Sequence, residues 1–453
     1  MGFRRVALGA LMITASLLAL VEPLAARERV TPLYGAGILS GALPQGGHYV
    51  LTAPSSMPLT ALELWYRVPS IGYGPAIHPS LGRLAAQSAA ASSAAQGLSL
   101  GEYVASIGGT LSIDVFPDSV AITALVPSPE ADATLRLLTG SYFSPHITDA
   151  GLHRAKLDMT TEAMYERFDP SVALRNALFA GLFVAGPEHY ATLDAHDVAA
   201  LDLPTVQAFA ERAFRPQHAS LVVTGATAPS LLTAIMPSAT ITNTTFSEQD
   251  ELAALQSTPG SVSTPRFVPF SQPGGGLAWL GPDIDDELSA TAMDFIADYL
   301  FHPIDGKVTR QLATALPDVT LNGQFITLQK PGIFLVGVSG PGSGAALHQI
   351  RQQIQALTKP LPPDVFLQAR RAFSYHIQSE LQTPTGLAAS FGWYATEGSP
   401  GYAPGAQGAD SQYDHDIAAL SARKVAEVAQ TFLQSSPLWV TLEPSQSIRE
   451  KTH

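Results

Sequence analysis

Cysteine is absent from this 453-residue sequence. That excludes disulfides, thiolate metal sites, a cysteine nucleophile and a lipid-modified N-terminal cysteine. Basic charge is scarce: 25 Lys and Arg stand against 38 Asp and Glu, a formal net charge of −13. A surface that tracks phosphates needs clustered Lys and Arg, so the balance argues against nucleic-acid binding. The acidity reads as an ordinary solvated surface. Charged residues make up 14% of the chain and hydrophobic residues 46%, which argues against disorder and provides for two or more packed cores. Past the first 21 residues, no apolar run is long enough to span a bilayer.

What is present begins with an export signal. Arg4 and Arg5 form a basic start, Val6 to Val21 an apolar run, and Leu24-Ala25-Ala26 a small-residue cleavage site, with cleavage expected after Ala26. The alternative is retention as a membrane anchor, for which the run is short against the roughly 20 residues a spanning helix needs. The expected location is periplasmic or extracellular.

The composition shifts once, near the middle. From about Ala226 to Pro265 the chain is rich in Ser, Thr, Pro and Ala, which reads as a linker. The expected division is a signal over 1–26, an N-terminal lobe over 27–235, a linker over 236–266 and a C-terminal lobe over 267–453. Both halves show the same order of elements. In the first, the pattern predicts a strand over Thr60–Val68, helices over Leu81–Gln96 and Leu100–Ile107, and a hairpin of Thr110–Asp114 with Ser119–Val126. Helices follow over Pro129–Thr139 and Asp149–Arg167. In the second, the pattern predicts a strand over Leu277–Leu280, a helix over Glu287–Leu300 and a hairpin of Val319–Leu328 with Gly332–Ser339. Helices follow over Ala345–Leu357 and Pro363–Leu381. "LHRAK" at Leu152 and "LQARR" at Leu367 occupy matching places, as do Asp169-Pro170 and Thr383-Pro384. A duplicated α+β lobe explains this order: two homologous lobes, each a mainly antiparallel sheet with helices packed on one face.

Other motifs have plain readings. Gly97-Leu98-Ser99-Leu100-Gly101 spells a nucleophile elbow, but no strand precedes it; Ser99 reads as a helix cap, completed by Glu102. Gly340 to Gly344 spells a dinucleotide loop, but a hairpin precedes it and the repeat pairs it with Pro127-Ser128-Pro129, so it reads as a strand-to-helix turn. His146 with His153, and His189 with His196, are each seven apart and offer at most an adventitious metal site.

The opening "LPQGGHYVLTAPSSMPLTALELWYRV", the stretch "LGEYVASIGGTLSIDVFPDSVAITALVP" and the segment from "GPEHY" to "LVVTGA" together resemble the insulinase/pitrilysin family of zinc peptidases, over about Gly41 to Leu433. That family's activity rests on H-x-x-E-H in the first helix: two His ligands four apart on one helical face, a Glu that activates the bound water, and a later Glu as third ligand. The matching stretch here is "GRLAAQSAAAS". With the alignment begun at Gly82, the His positions fall on Ala85 and Ala89 and the catalytic Glu on Ser88, while Glu162 stands at the third-ligand position. A substrate-binding Arg of the family falls on Ala313, with Arg310 nearby, and no Tyr lies between Tyr299 and Tyr375. The resemblance thus implies a pseudoenzyme with no catalytic residues and no cofactor, zinc entering only if that reading is wrong. It implies as partners an active zinc-peptidase subunit of the same family, or a second copy of this chain, and extended or unfolded peptide. The alternatives are a stand-alone peptide-binding or assembly protein, and an active metallopeptidase with an unrecognised metal site.

Overall fold

The structure, a computed structural model, describes residues 38–43, 47–52, 57–67, 80–92, 97–116, 119–166, 168–182, 195–225, 266–268, 272–328, 331–398, 403 and 411–444. The signal, most of the linker and His189 lie outside these residues.

The first half carries strands β1 (Leu39–Ala42), β2 (His48–Leu51), β3 (Leu59–Tyr66), β4 (Thr110–Val115), β5 (Val120–Pro127) and β6 (Ala219–Gly225). Its helices are α1 (Leu81–Ser92), α2 (Leu100–Ser106), α3 (Ala131–Phe143), α4 (Asp149–Glu166), α5 (Pro170–Leu182), α6 (Ala195–Ala200) and α7 (Leu203–Ala213). The second half carries β7 (Arg266–Val268), β8 (Gly274–Leu280), β9 (Thr320–Ile326), β10 (Ile333–Ser339) and β11 (Leu438–Pro444). Its helices are α8 (Glu287–Phe301), α9 (Lys307–Ala315), α10 (Ser343–Ala356), α11 (Pro363–Glu380), α12 (Pro384–Glu397), α13 (Gln412–Ala419) and α14 (Ala422–Leu433).

Two sheets result, ordered β1-β2-β6-β3-β5-β4 and β7-β11-β8-β10-β9. The shared core β6-β3-β5-β4 repeats as β11-β8-β10-β9, antiparallel throughout. A parallel partner joins each, β2 beside β6 and β7 beside β11. The strands alternate as period-2 patterning demands. Leu62, Leu64 and Tyr66 of β3 enter the N-terminal core with α1, α3 and α7, while Trp65 on the opposite face joins a separate cluster with Phe116, Ala121 and Trp393.

Local signals set several element ends. Ser99 accepts from the Glu102 backbone N–H at 3.3 Å, and the Glu102 carboxylate accepts from the Ser99 N–H at 2.9 Å, which completes the capping box. Asp169 accepts from the Ser171 N–H at 2.8 Å at the start of α5, and Thr383 accepts from the Gly386 N–H at 3.0 Å at the start of α12. The matched pairs Asp169-Pro170 and Thr383-Pro384 therefore launch corresponding helices. Gly340 to Gly344 makes the strand-to-helix turn, with positive φ at Gly340 and Gly342.

These two corresponding helices cross between the halves. Leu174, Ala177, Leu178, Phe179 and Leu182 of α5 pack on Ala278, Ile333, Leu335, Leu438 and Val440, all from the second sheet. In return α12 covers the first sheet: Thr224 Oγ1 donates to the Pro384 carbonyl at 2.5 Å, Ser220 Oγ donates to the Ala395 carbonyl at 3.2 Å, and Trp393 meets Trp65 and Phe116. Glycine makes both approaches possible. A Cβ on Gly337 would lie 2.7 Å from Leu174, and one on Gly392 would lie 2.0 Å from the Trp65 Nε1. Strand β8 also begins earlier than its alternation predicts, because Gly274 to Gly276 carry no side-chain signal yet pair fully with β10 and β11.

Gly392→Val is expected to force α12 off Trp65 and to cost about 1–3 kcal/mol or more in chemical denaturation. Gly344→Ala, where a Cβ meets nothing within 4 Å, should be neutral or stabilising by a few tenths of a kcal/mol to about 1 kcal/mol.

Candidate functional site

Helix α1 presents two different faces. Ala85 and Ser88 are 0% exposed and Ala89 is 1% exposed, all packed into the N-terminal core. The Ser88 hydroxyl has no hydrogen-bond partner among the described residues. The half-buried face instead carries Arg83 and Gln87, four apart and so one above the other on the helix. The Arg83 guanidinium is in direct contact with the Glu162 carboxylate on α4 and lies 3.8 Å from that of Glu166. The position reserved by family resemblance for a third metal ligand is therefore neutralised by a side chain of the same lobe.

Further charges gather there. Arg175 on α5 couples to Glu166, Asp169 and Arg83, and burial pulls its guanidinium down from the ordinary value. Burial pushes the Glu166 carboxyl up, with Arg83 opposing. On the edge strand β4, Asp114 is also raised by burial, against a hydrogen bond from Ser112 and the charge of Arg83. The group joins α1, α4, α5 and β4. Beside it, α5 and strands β9 and β10 enclose a cleft of about 110 Å³, with Asp169, Arg175, Asn322 and Gln324 among its lining residues.

Glu63 lies further along the same face of the first sheet and is 2% exposed. Trp65 Nε1 donates to it at 2.8 Å and the Thr123 hydroxyl at 3.1 Å. Burial nevertheless pushes its carboxyl up to about 8; the two hydrogen bonds pull the other way and the charge of Asp114 adds to the rise. At neutral pH the side chain holds its proton.

These residues do not fit a zinc ion on α1. A guanidinium cannot ligate, methyl groups offer nothing, and Glu162 is one carboxylate where a catalytic zinc needs three protein ligands. The other sequence-based candidates are dispersed. Ala313 and Arg310 are both exposed on α9, and His146 and His153 are both exposed at the surface near α4. The grouping with metal-ligand geometry among the described residues is Asp298, His302 and His376, in the second half. Sequence reading passed over it, although Asp298 and His302 stand four apart at the end of a helix.

No family model matches this chain, and no curated protein matches it. Solved structures do. A protease from Helicobacter pylori superposes with a TM-score of 0.76 at 14% identity, over 90% of this chain and 100% of that one. An M16-like peptidase from Alicyclobacillus acidocaldarius gives 0.72 at 14% identity, over 90% and 99%. A peptidase M16 inactive domain from Pseudomonas fluorescens gives 0.70 at 17% identity, over 90% and 98%. The chain therefore has the two-lobed fold of M16 peptidases, the insulinase/pitrilysin architecture.

Glu63 gives this protein an unusual pH dependence. The unfolded chain releases that proton near 4.5 and the folded chain near 8, so the folded state binds the extra proton between these values and stability falls as pH rises through the window. The loss from pH 4.5 to 8 should be on the order of 3–5 kcal/mol. Glu63→Gln, neutral throughout, should remove that part of the slope in denaturant titrations at pH 5 and pH 8.

Proposed function

We propose that this protein is a catalytically inactive M16-type peptidase homologue that serves as the non-catalytic subunit of an exported zinc-peptidase complex. Its part is chamber wall and peptide contact. The observation that carries the reading is the Arg83 contact with Glu162: where the family's chemistry places a metal cation, this lobe supplies a guanidinium. In this reading the degenerate motif is Arg83-Leu84-Ala85-Ala86-Gln87, two residues earlier than the alignment from Gly82. A catalytic metal must be reached by substrate, and the half-buried face of α1 is the one that carries Arg83 and Gln87.

The strand edges support peptide contact. Among the described residues, strands β4 and β9 each end a sheet, and an edge strand offers N–H and C=O groups to an extended peptide. The cleft of about 110 Å³ beside Arg175 has room for one small side chain. A docking face for a partner is offered by α4, where Leu157, Met164 and Tyr165 are 57%, 59% and 75% exposed. Such a stripe is costly to leave in water.

The experiment has two arms. The purified protein should not cleave unfolded polypeptide, with or without added zinc; chelator-sensitive cleavage by the wild type overturns the proposal. Arg83→His combined with Gln87→His should gain one bound zinc beyond the wild type and lose it again on Glu162→Gln. Ala85→His with Ala89→His should instead unfold the lobe, because it drives imidazoles into a packed core. If the purified chain binds extended peptide yet ignores a zinc-peptidase partner, the stand-alone peptide-binding reading replaces the subunit reading.

A further inference from the structure

The second half contains a polar cluster that takes no part in the site above. Asp298 lies on the last turn of α8 and His302 directly follows that helix. Asp305 sits in the turn before α9, and His376 projects from α11. The His376 Nδ1 lies 2.9 Å from Asp298 Oδ1 and 3.1 Å from Oδ2. His376 Nε2 lies 3.4 Å from Asp305 Oδ2, and His302 Nδ1 contacts the other Asp305 oxygen at 2.5 Å. The two imidazoles stack face to face, 3.5 Å between centroids and 7° from parallel. Asp298, His302 and His376 each place one ligand atom within 4.8 Å of the others.

We propose that Asp298, His302 and His376, with Asp305 on the solvent side, form a binding site for one divalent transition-metal ion, zinc being the best match.

Several features support this. Two imidazoles and two carboxylates are the donor set that suits zinc and its first-row neighbours rather than calcium or magnesium. On one tetrahedral zinc, ligand atoms stand roughly 3.3–3.5 Å apart, given bonds of about 2.0–2.2 Å. The His376 Nε2–Asp305 Oδ2 pair has that spacing; an ion taken by Nε2 leaves Nδ1 to its Asp298 hydrogen bond, and one taken by Nδ1 leaves Nε2 to Asp305. The His376–Asp298 and His302–Asp305 contacts are shorter than that spacing and must open on binding, and the rings must splay from their stack, since lone pairs in two parallel ring planes 3.5 Å apart do not converge on one ion. The side chains of Asp298, His302 and His376 are 16%, 19% and 13% exposed, and that of Asp305 is 44% exposed. Three of the four side chains are thus mostly buried and the fourth reaches solvent, which gives an ion an entry path.

The site is distinct from the family position on α1 and α4. It lies on the corresponding helix pair of the other lobe, α8 and α11, but at the C-terminal end of the first helix. An ion there would tie the turn between α8 and α9, including Ile304 at 82% exposure, to α11.

Zinc titration of the purified, metal-stripped full chain tests this, with free zinc set by a competing chelator. The expected result is one zinc per chain, with affinity lowered at least 100-fold by His376→Ala and by His302→Ala, and unchanged by Glu162→Gln. Should either His variant unfold, zinc protection of His302 and His376 from diethyl pyrocarbonate in the wild type decides the question, read by peptide mass. The proposal is overturned by absence of zinc binding at 10-micromolar-order free zinc, by binding that survives both His substitutions, or by unprotected histidines. None of these outcomes bears on peptidase activity, so this site and the proposed function stand or fall separately.

Discussion

The reciprocal exchange of α5 and α12 is the constraint from which the rest of the molecule follows. Each sheet has one face packed under its own lobe's helices and a second face that would otherwise meet water. The second sheet receives Leu174, Leu178 and Phe179 from the first half. The first receives Trp393, packed on Trp65 and Phe116, from the second half. Burying Leu174, Leu178, Phe179 and Leu182 of α5 contributes about 1.5–3 kcal/mol each before the entropy of ordering is charged against it. The same exchange places Arg175 beside Glu166 and encloses the cleft against β9 and β10. The charged grouping therefore depends on chain crossing between the lobes as much as on either lobe.

In the proposed reading, that grouping puts a guanidinium where the family's architecture holds a cation. Glu162 keeps its place on α4, and a carboxylate there needs a positive neighbour. Arg83 supplies one from the half-buried face of α1, while alanines on the buried faces of the helix let α3, α4 and α7 close in. Small residues at Ala85, Ala86, Ala89 and Ala90 are core residues here, and their size sets how near α4 can come.

Much of the architecture was legible because its signals are local. Hairpins announce themselves by alternation, α2 by a Ser and Glu three apart, and the two exchanged helices by capping residues followed by proline. The repeat of elements was legible for the same reason. The exchange itself was not, since the sequence around α5 is simply apolar and does not say which sheet it covers. The early start of β8 was hidden by three glycines. At the site, the position of α1 was visible, but which of its faces is buried was not: Ala85 and Ala89 lie in the core, and Arg83 and Gln87 lie on the half-buried face. The Asp298–His302–His376 cluster escaped because His376 comes from a separate helix, joined to the Asp298–His302 pair only by packing.

The crossing of α5 and α12 also orders events during synthesis. As the chain leaves a ribosome, residues through Gly225 can complete the first sheet, yet the face carrying Glu63 and Trp65 stays bare until Pro384–Glu397 has emerged. Until then α5, with no second sheet to lie on, is a free apolar helix. The half-made molecule therefore exposes two apolar faces, and its two lobes mature together rather than in turn.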